Sequence, residues 1–415
     1  MVEQSQGVEA EGAVDVPVLR EPRDGVPAPV TSAAELADAV ADLAGGDGPV
    51  AVDAERASGY RYGQRAYLVQ LRRAGAGTVL VDPVGLPDLR SVGEALADAE
   101  WILHAANQDL ACLAELGLRP PRLFDTELAG RLLGDERVAL GTMVERHLGI
   151  RLEKGHSAAD WSTRPLPRDW LVYAALDVEL LIALRDALAK ELADTGKTEW
   201  ARQEFEAVRT AEPAPPREDP WRRTSGIHGV RSRRQLAGVR ALWYARDELA
   251  AARDIAPGRI LPDSAIIGAV RADPRQAADL ATLPVFSGPR QRREASRWFG
   301  ALAAARALPD EQLPPITGGL DPVPPASRWR DRAPDAADRL ARGREVVAAI
   351  AEEHVVLGQN LLASDVLRRL AWEPPRPLTE EAVRAELTRL GARPWQVELT
   401  AGPLTAALGV DPISE

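Results

Sequence analysis

The stretch Val50-Ala-Val-Asp53-Ala-Glu55 constrains this chain more than any other. Two β-branched residues follow the turn-rich run Gly45-Gly-Asp-Gly48, a pattern that reads as a buried strand opening a sheet. Residues i and i+2 of a strand share a face, so the carboxylates of Asp53 and Glu55 project together. Like charges held side by side repel, and burial strengthens the repulsion. A divalent cation between them is one resolution. A solvated acidic turn at the strand end is the other.

The 415 residues leave room for two to four domains, each with its own core. The longest apolar stretch, Leu171 to Leu184, carries Asp177 and Glu179, which excludes a membrane span there. One cysteine, Cys112, excludes an intramolecular disulfide and reads as a small buried residue on a helix. With an acidic N-terminus lacking a basic-then-apolar leader, it fits a reducing cytoplasm. A net charge of −11 argues on average against a nucleic-acid partner. The average conceals a local surplus, because Arg217 to Arg306 holds 17 Arg and no Lys against 9 acidic residues.

In chain order, residues 1–28 are polar and aperiodic, as expected of a loosely ordered tail. Ser32-Ala-Ala-Glu35 is a capping box, predicting a helix to about Leu43. Three strands are expected at 49–55, 65–72 and 78–82, joined by short Gly-bearing loops into an antiparallel meander. A helix at 87–98, a strand at Trp101-Ile-Leu-His104 and a helix from Asn107 to about Leu116 come next. Further helical patterns occupy 126–133, 140–148 and 167–195. Antiparallel strands followed by alternating α and β point to a mixed sheet flanked by helices, an α/β domain over 29–208. A Pro-rich linker at 209–228 precedes a helical unit at 229–308, in which Asp263 is expected to cap a helix beginning at Ser264. A second spacer at 309–334 leads to another helical unit at 335–415. Ile260-Leu-Pro-Asp-Ser-Ala-Ile-Ile resembles Leu361-Leu-Ala-Ser-Asp-Val-Leu-Arg, a hint that the two helical units copy one module.

Two further acidic positions complete the candidate site. His104-Ala-Ala-Asn-Gln-Asp109 sets an aspartate at a helix start, where free backbone amides alone could explain it. Tyr173 and Asp177 stand four apart on one apolar helix and therefore share a face.

The conjunction of a strand-end Asp-x-Glu, an Asp opening a later helix and a helical Tyr-x-x-x-Asp resembles the DEDD superfamily of 3′-5′ exonucleases, in its tyrosine-bearing branch. With Tyr67-Leu-Val-Gln-Leu, His104-Ala-Ala-Asn-Gln-Asp-Leu and Lys154-Gly-His-Ser-Ala-Ala-Asp160-Trp-Ser-Thr-Arg164, residues 30–205 are similar to the ribonuclease D family. That family's catalytic domain has a ribonuclease H-like mixed sheet. Residues 230–308 resemble a helicase-and-ribonuclease-D C-terminal (HRDC) domain, and the last 80 resemble a degenerate second copy.

The resemblance implies a 3′-5′ exoribonuclease that takes RNA with a free 3′ end, such as tRNA precursors, and releases 5′-nucleoside monophosphates. It implies two divalent ions, Mg²⁺ or Mn²⁺. Asp53 would bridge both, Glu55 and Asp177 would hold the ion that activates water, and Asp109 would hold the second. Tyr173 would orient the water. The family usually reads Asp-Thr-Glu-Phe in the first motif, whereas this chain has Asp53-Ala54-Glu55-Arg56. Arg56 is therefore expected to contact phosphate or stack through its guanidinium plane. RNA contact by the helical units is expected from a set of seven arginines, among them Arg233, Arg234, Arg292 and Arg293, flanking Trp243 and Trp298. The loop between Arg56 and Arg65 reads either as a mobile substrate loop or as ordinary surface. A DNA exonuclease of the same fold and a non-catalytic nucleic-acid-binding scaffold are the alternative functions.

Overall fold

A computed structural model describes residues 16–153, 155, 158–213, 215, 217–316 and 322–409. Strands in chain order are β1 (Val18–Leu19), β2 (Asp47–Arg56), β3 (Ala66–Ala74), β4 (Gly77–Val81), β5 (Glu100–Leu103), β6 (Arg122–Asp125) and β7 (Arg151–Leu152). Five of them form one sheet in the order β4-β3-β2-β5-β6, and β1 pairs separately with β7. Strands β2, β3 and β4 make the expected antiparallel meander, and β5 and β6 add on parallel to β2. The helices of this unit are α1 (Ala33–Gly45), α2 (Arg90–Ala95), α3 (Leu110–Glu115), α4 (Thr126–Leu132), α5 (Leu140–Leu148), α6 (Arg168–Glu179), α7 (Leu181–Asp194) and α8 (Thr198–Arg209).

The alternation in β2 does what a period of two requires. Val50, Val52 and Ala54 enter the hydrophobic core, while Asp53 and Glu55 take the other face, opposite Gln70 and Leu68 of β3. Helix α6 lies across β2, β3 and β4. Its C-terminal end is fastened by Glu179, whose buried carboxylate pairs with Arg72 of β3 at 3.2 Å. That tie sits two residues beyond Asp177 and fixes where its carboxylate stands over the sheet.

Several expectations need correction. The single helix predicted at 167–195 is broken at Leu180, with α6 on β2–β4 and α7 on β2 and β5. No Pro or Gly marks the break. The expected helix from Asn107 is a 3₁₀ turn at Ala106–Gln108 followed by α3. Strand β6 was not anticipated at all. Residues 16–28 are not a loose tail, since Val18 and Leu19 pair with Arg151 and Leu152, and the amide of Arg23 donates to Glu179. Residues 1–15, and Lys154 and His156 of the third motif, lie outside the described residues.

The first helical unit contains α9 (Arg233–Arg253), α10 (Pro257–Ile260), α11 (Asp263–Ala272), α12 (Ala277–Leu280), α13 (Pro289–Arg293) and α14 (Ala295–Ala307). Trp221 of the expected linker is fully buried in this unit's core, so the preceding Pro-rich stretch is only partly a spacer. Asp263 is not a cap: it is the first residue of α11, and its carboxylate accepts from the Ser225 amide and from Arg246. The second unit contains α15 (Trp329–Arg332), α16 (Pro334–Glu353), α17 (Gly358–Leu361), α18 (Ser364–Trp372), α19 (Glu380–Arg389) and α20 (Pro394–Leu408). In both units the first long helix packs on the last, α9 on α14 and α16 on α20.

The two units meet the sheet domain differently. The second shares a continuous hydrophobic core with it, sealed where Trp395 stacks on Trp200 at 4.6 Å and donates to Glu204. The first is joined through the loop after β2. The Ala256 amide donates to the Tyr60 carbonyl, Arg259 donates to the Gly59 carbonyl and caps the Tyr60 ring at 4.0 Å, and Tyr62 donates to Asp247. The loop expected to be mobile or plain surface is therefore an inter-domain strap. Among the described residues no helix is long and apolar enough to cross a membrane.

Candidate active site

Three elements deliver the expected side chains to one place. Asp53 and Glu55 come from the end of β2, and Tyr173 and Asp177 from successive turns of α6. Asp109 precedes α3. All five line one cavity of about 400 Å³, together with Arg56 and His104. Oxygen atoms of Asp53, Glu55 and Asp177 lie within 4.8 Å of one another. Asp109 stands at the edge of that trio. Its side chain makes no capping hydrogen bond to α3, so the helix-start explanation for this residue fails. The carboxylate faces Arg56 instead, at 3.4 Å.

The electrostatics follow from crowding four acids into a recess. Burial holds Asp53 above the usual carboxylate range. Burial and the Asp53, Asp177 and Asp109 charges push Glu55 up to about 10. Burial and Asp53 raise Asp109 to about 8, against the opposing pull of Arg56. Burial and Asp53 lift Asp177 well up as well, while the hydrogen bond from Tyr173 works the other way. Burial and the neighbouring Asp177 and Glu55 charges likewise raise the Tyr173 phenol. Such a set of hard oxygen donors resists ionising until a cation balances it. Among the described residues lining the cavity, Arg56 is the only side chain with a permanent positive charge. These donors fit a hard divalent cation and do not suit zinc of the structural type.

Neighbouring groups hold the constellation in place. The ring of Trp161, fully buried, lies 6.3 Å from that of Tyr173. Arg164 of the same motif is a staple, donating twice to Asp82 at 2.6 and 2.7 Å and once to the Tyr67 carbonyl. His104 is structural: Nδ1 bonds Thr126 Oγ1 at 2.9 Å, and burial lowers the imidazole to about 4. His147 bonds Asp135 and Glu191 away from the cavity. Cys112 is buried, and burial drives its thiol up to about 12, which removes it as a nucleophile.

Sequence reasoning missed Asp125, the last residue of β6. Its carboxylate accepts from the amides of Ala105 and Ala106 at 3.1 and 2.8 Å, and from Glu127 and Leu128 at the start of α4. Ala105 has φ 58°, a left-handed conformation that a side chain disfavours, so the turn leading to Asp109 needs this support. The visible signal was the apolar pair Leu123-Phe124 ending in Asp-Thr ahead of a helix. Asp125→Ala is expected to destabilise the chain by about 3 kcal/mol, from buried amides left unpaired and a lost cap. It should also reduce turnover by misplacing Asp109. Asp125→Asn, which keeps one acceptor oxygen, should fall between, and parallel melting curves and turnover assays check the order.

The helical units treat the expected RNA-contacting arginines unequally. Arg233 donates to the carbonyls of Asp310, Leu313 and Pro314. Arg234 donates to the carbonyls of Arg306 and Leu308 and pairs with Asp310. Both brace the second spacer against α9, so their guanidinium groups are engaged within the chain. Trp298 is fully buried and hydrogen-bonded to Gln291, so it cannot stack on a base. Arg292 and Arg293 are exposed on α13.

Comparison with known proteins finds relatives over most of the chain. Residues 27–193 match a family model described as 3′-5′ exonuclease, residues 235–302 match the HRDC domain, and residues 322–408 match a 3′ to 5′ exonuclease C-terminal domain. Ribonuclease D of Granulibacter bethesdensis is 32% identical over 334 residues, which are 78% of this chain and 81% of that protein. Ribonuclease D of Acidiphilium cryptum is 30% identical over 376 residues, 88% of this chain and 92% of that one. A solved protein from Bifidobacterium adolescentis superposes with a TM-score of 0.89 at 39% identity, covering 95% of this chain and 100% of its own. Escherichia coli RNase D, described as an exoribonuclease involved in structured RNA processing, gives a TM-score of 0.67 at 25% identity, covering 92% and 98%.

Proposed function

The chain belongs to the ribonuclease D family, and from that premise we propose that it trims RNA from a free 3′ end, releasing 5′-nucleoside monophosphates. It is a 3′-5′ exoribonuclease. The observation that carries the reading is the convergence of Asp53, Glu55, Asp109, Asp177 and Tyr173 on one cavity. Structured RNA such as a tRNA precursor is the proposed substrate class, by likeness to the Escherichia coli relative.

Asp53, Glu55 and Asp177 would hold one divalent ion, Mg²⁺ or Mn²⁺, and Asp53 with Asp109 a second. When bound, such ions polarise the phosphoryl oxygens and lower the pKa of water. The rest belongs to the chain's own groups. Tyr173, on the turn before Asp177, is placed to accept a hydrogen bond from a water molecule and fix its line of approach. The water oxygen adds to phosphorus and the P–O3′ bond breaks. The new chain end takes a proton on its 3′ oxygen, and the nucleotide leaves with the phosphate on its 5′ oxygen. Arg56, which lines the cavity, would supply a guanidinium to the phosphate. Arg292 and Arg293 on α13 would add non-specific grip through phosphate neutralisation.

Tyr173→Phe tests the division of labour. Turnover of a 3′-tailed RNA should fall about a hundredfold, the value of lost positioning, with Mn²⁺ affinity falling far less, by no more than the lost hydrogen bond to Asp177 accounts for. Unchanged turnover would remove Tyr173 from the chemistry. Matched RNA and DNA strands digested side by side decide the sugar preference, and RNA is expected to be the faster substrate.

A further inference from the structure

Position 56 puts the one permanently positive side chain among the described residues lining the cavity beside its carboxylates. We propose that the Arg56 guanidinium is the resident counter-ion of the Asp109 half of the site, and that a second divalent ion enters there only by displacing it. The inference rests on reading the cavity as a metal site.

Three observations support it. Arg56 Nη2 lies 3.4 Å from Asp109 Oδ1, with the two side chains only 25% and 7% exposed, so solvent screens the pair weakly. The other three carboxylates gather into a tight group that leaves Asp109 out, which splits the site into a metal-ready half and an arginine-held half. The backbone around Arg56 is also fixed. It ends β2, Ala57 is buried, and Tyr60 is strapped to the first helical unit, so only the side chain is free to leave.

Charge counting gives the consequence. With the four ligand carboxylates ionised, as ligation requires, and Glu127 of the same cavity paired with Arg131, Arg56 leaves three formal negative charges, and one divalent ion reduces these to one. A second ion makes the site positive, and a phosphodiester then neutralises it. With an uncharged residue at position 56, two ions would neutralise the carboxylates before any RNA arrived. Arg56 therefore makes the second ion bind weakly to the free enzyme, and the displaced guanidinium is released towards the incoming phosphate.

Calorimetric titration of the full chain with Mn²⁺, in the absence of RNA, tests this for the wild type, Arg56→Gln, Arg56→Lys and Asp109→Asn. The wild type should bind in two steps, and Asp109→Asn should lose the weaker one. In Arg56→Gln the weaker step should move to a Mn²⁺ concentration at least about tenfold lower, while Arg56→Lys, which keeps the charge, should stay near the wild type. Metal-free Arg56→Gln should also melt lower than the wild type, which an arginine serving only RNA contact would not cause. A weaker step that stays at the wild-type concentration in Arg56→Gln overturns the proposal. A wild type that binds no Mn²⁺ overturns the underlying metal-site reading, and the proposal with it.

Discussion

Asp53→Asn is expected to lower Mg²⁺- or Mn²⁺-dependent release of nucleotides by at least about a thousandfold, and at the same time to raise the melting temperature of the metal-free protein by a few degrees. The first effect follows from its position. Asp53 is the carboxylate shared between the trio and the Asp109 side, and an amide offers a cation one weak oxygen in place of an anion. Three decades of rate correspond to about 4 kcal/mol, within the several that a metal's charge stabilisation supplies. The second effect follows from the same crowding. Glu55, Asp109 and Asp177 all carry the Asp53 charge among the causes of their raised pKa, so an isosteric amide relieves three neighbours at once. The stabilisation should be larger at pH 9 than at pH 5, because only at the higher pH would the wild-type carboxylates be forced to ionise together. Loss of activity accompanied by a lower melting temperature would mean that Asp53 matters for folding and would leave its catalytic role unsupported.

Metal binding should release protons. Glu55 stands at about 10 and Asp109 at about 8 in the metal-free site, so both are largely protonated at pH 7. A carboxylate must lose its proton to ligate. Calorimetry in buffers of different ionisation enthalpy should therefore count at least about one proton released per chain at pH 7, and affinity should rise about tenfold per pH unit for each proton released. Stability of the metal-free chain should run the other way. The folded pKa values lie above the unfolded carboxylate values near 4. Their contribution is thus fully present below about pH 4 and is lost as pH rises through about 8 for Asp109 and about 10 for Glu55. Binding without proton release, or metal-free stability that climbs over this range, would show that the acids are ionised and stabilised by something other than a metal.

What could be read from the sequence is what local periodicity carries. The period of two in β2 fixed the shared face of Asp53 and Glu55, and the helical i, i+4 spacing paired Tyr173 with Asp177. The Ser32 box stands as expected, with its side chain and that of Glu35 bonded reciprocally. The antiparallel meander was legible because short Gly-bearing loops allow little else. The misses are long-range. Asp125 bonds amides 20 and 19 residues away, and Arg259 reaches 200 residues back to Gly59. No window of neighbouring residues contains either fact. Arg233 and Arg234 looked like an RNA-binding pair because an arginine's sequence context does not show which carbonyls will fold against it. Arg56 stood out in the sequence, but its partner, Asp109, appears only once the turn held by Asp125 brings that carboxylate to the end of β2.

The most direct test of the central claim, that four convergent carboxylates make a metal-dependent 3′-5′ exoribonuclease, is nucleotide release from two versions of one RNA, with its 3′ hydroxyl free or blocked, each with Mg²⁺ and with a chelator. Release of 5′-nucleoside monophosphates only from the free end, and only with metal, is the expected result. Equal release from the blocked RNA, or release that survives the chelator, would contradict it.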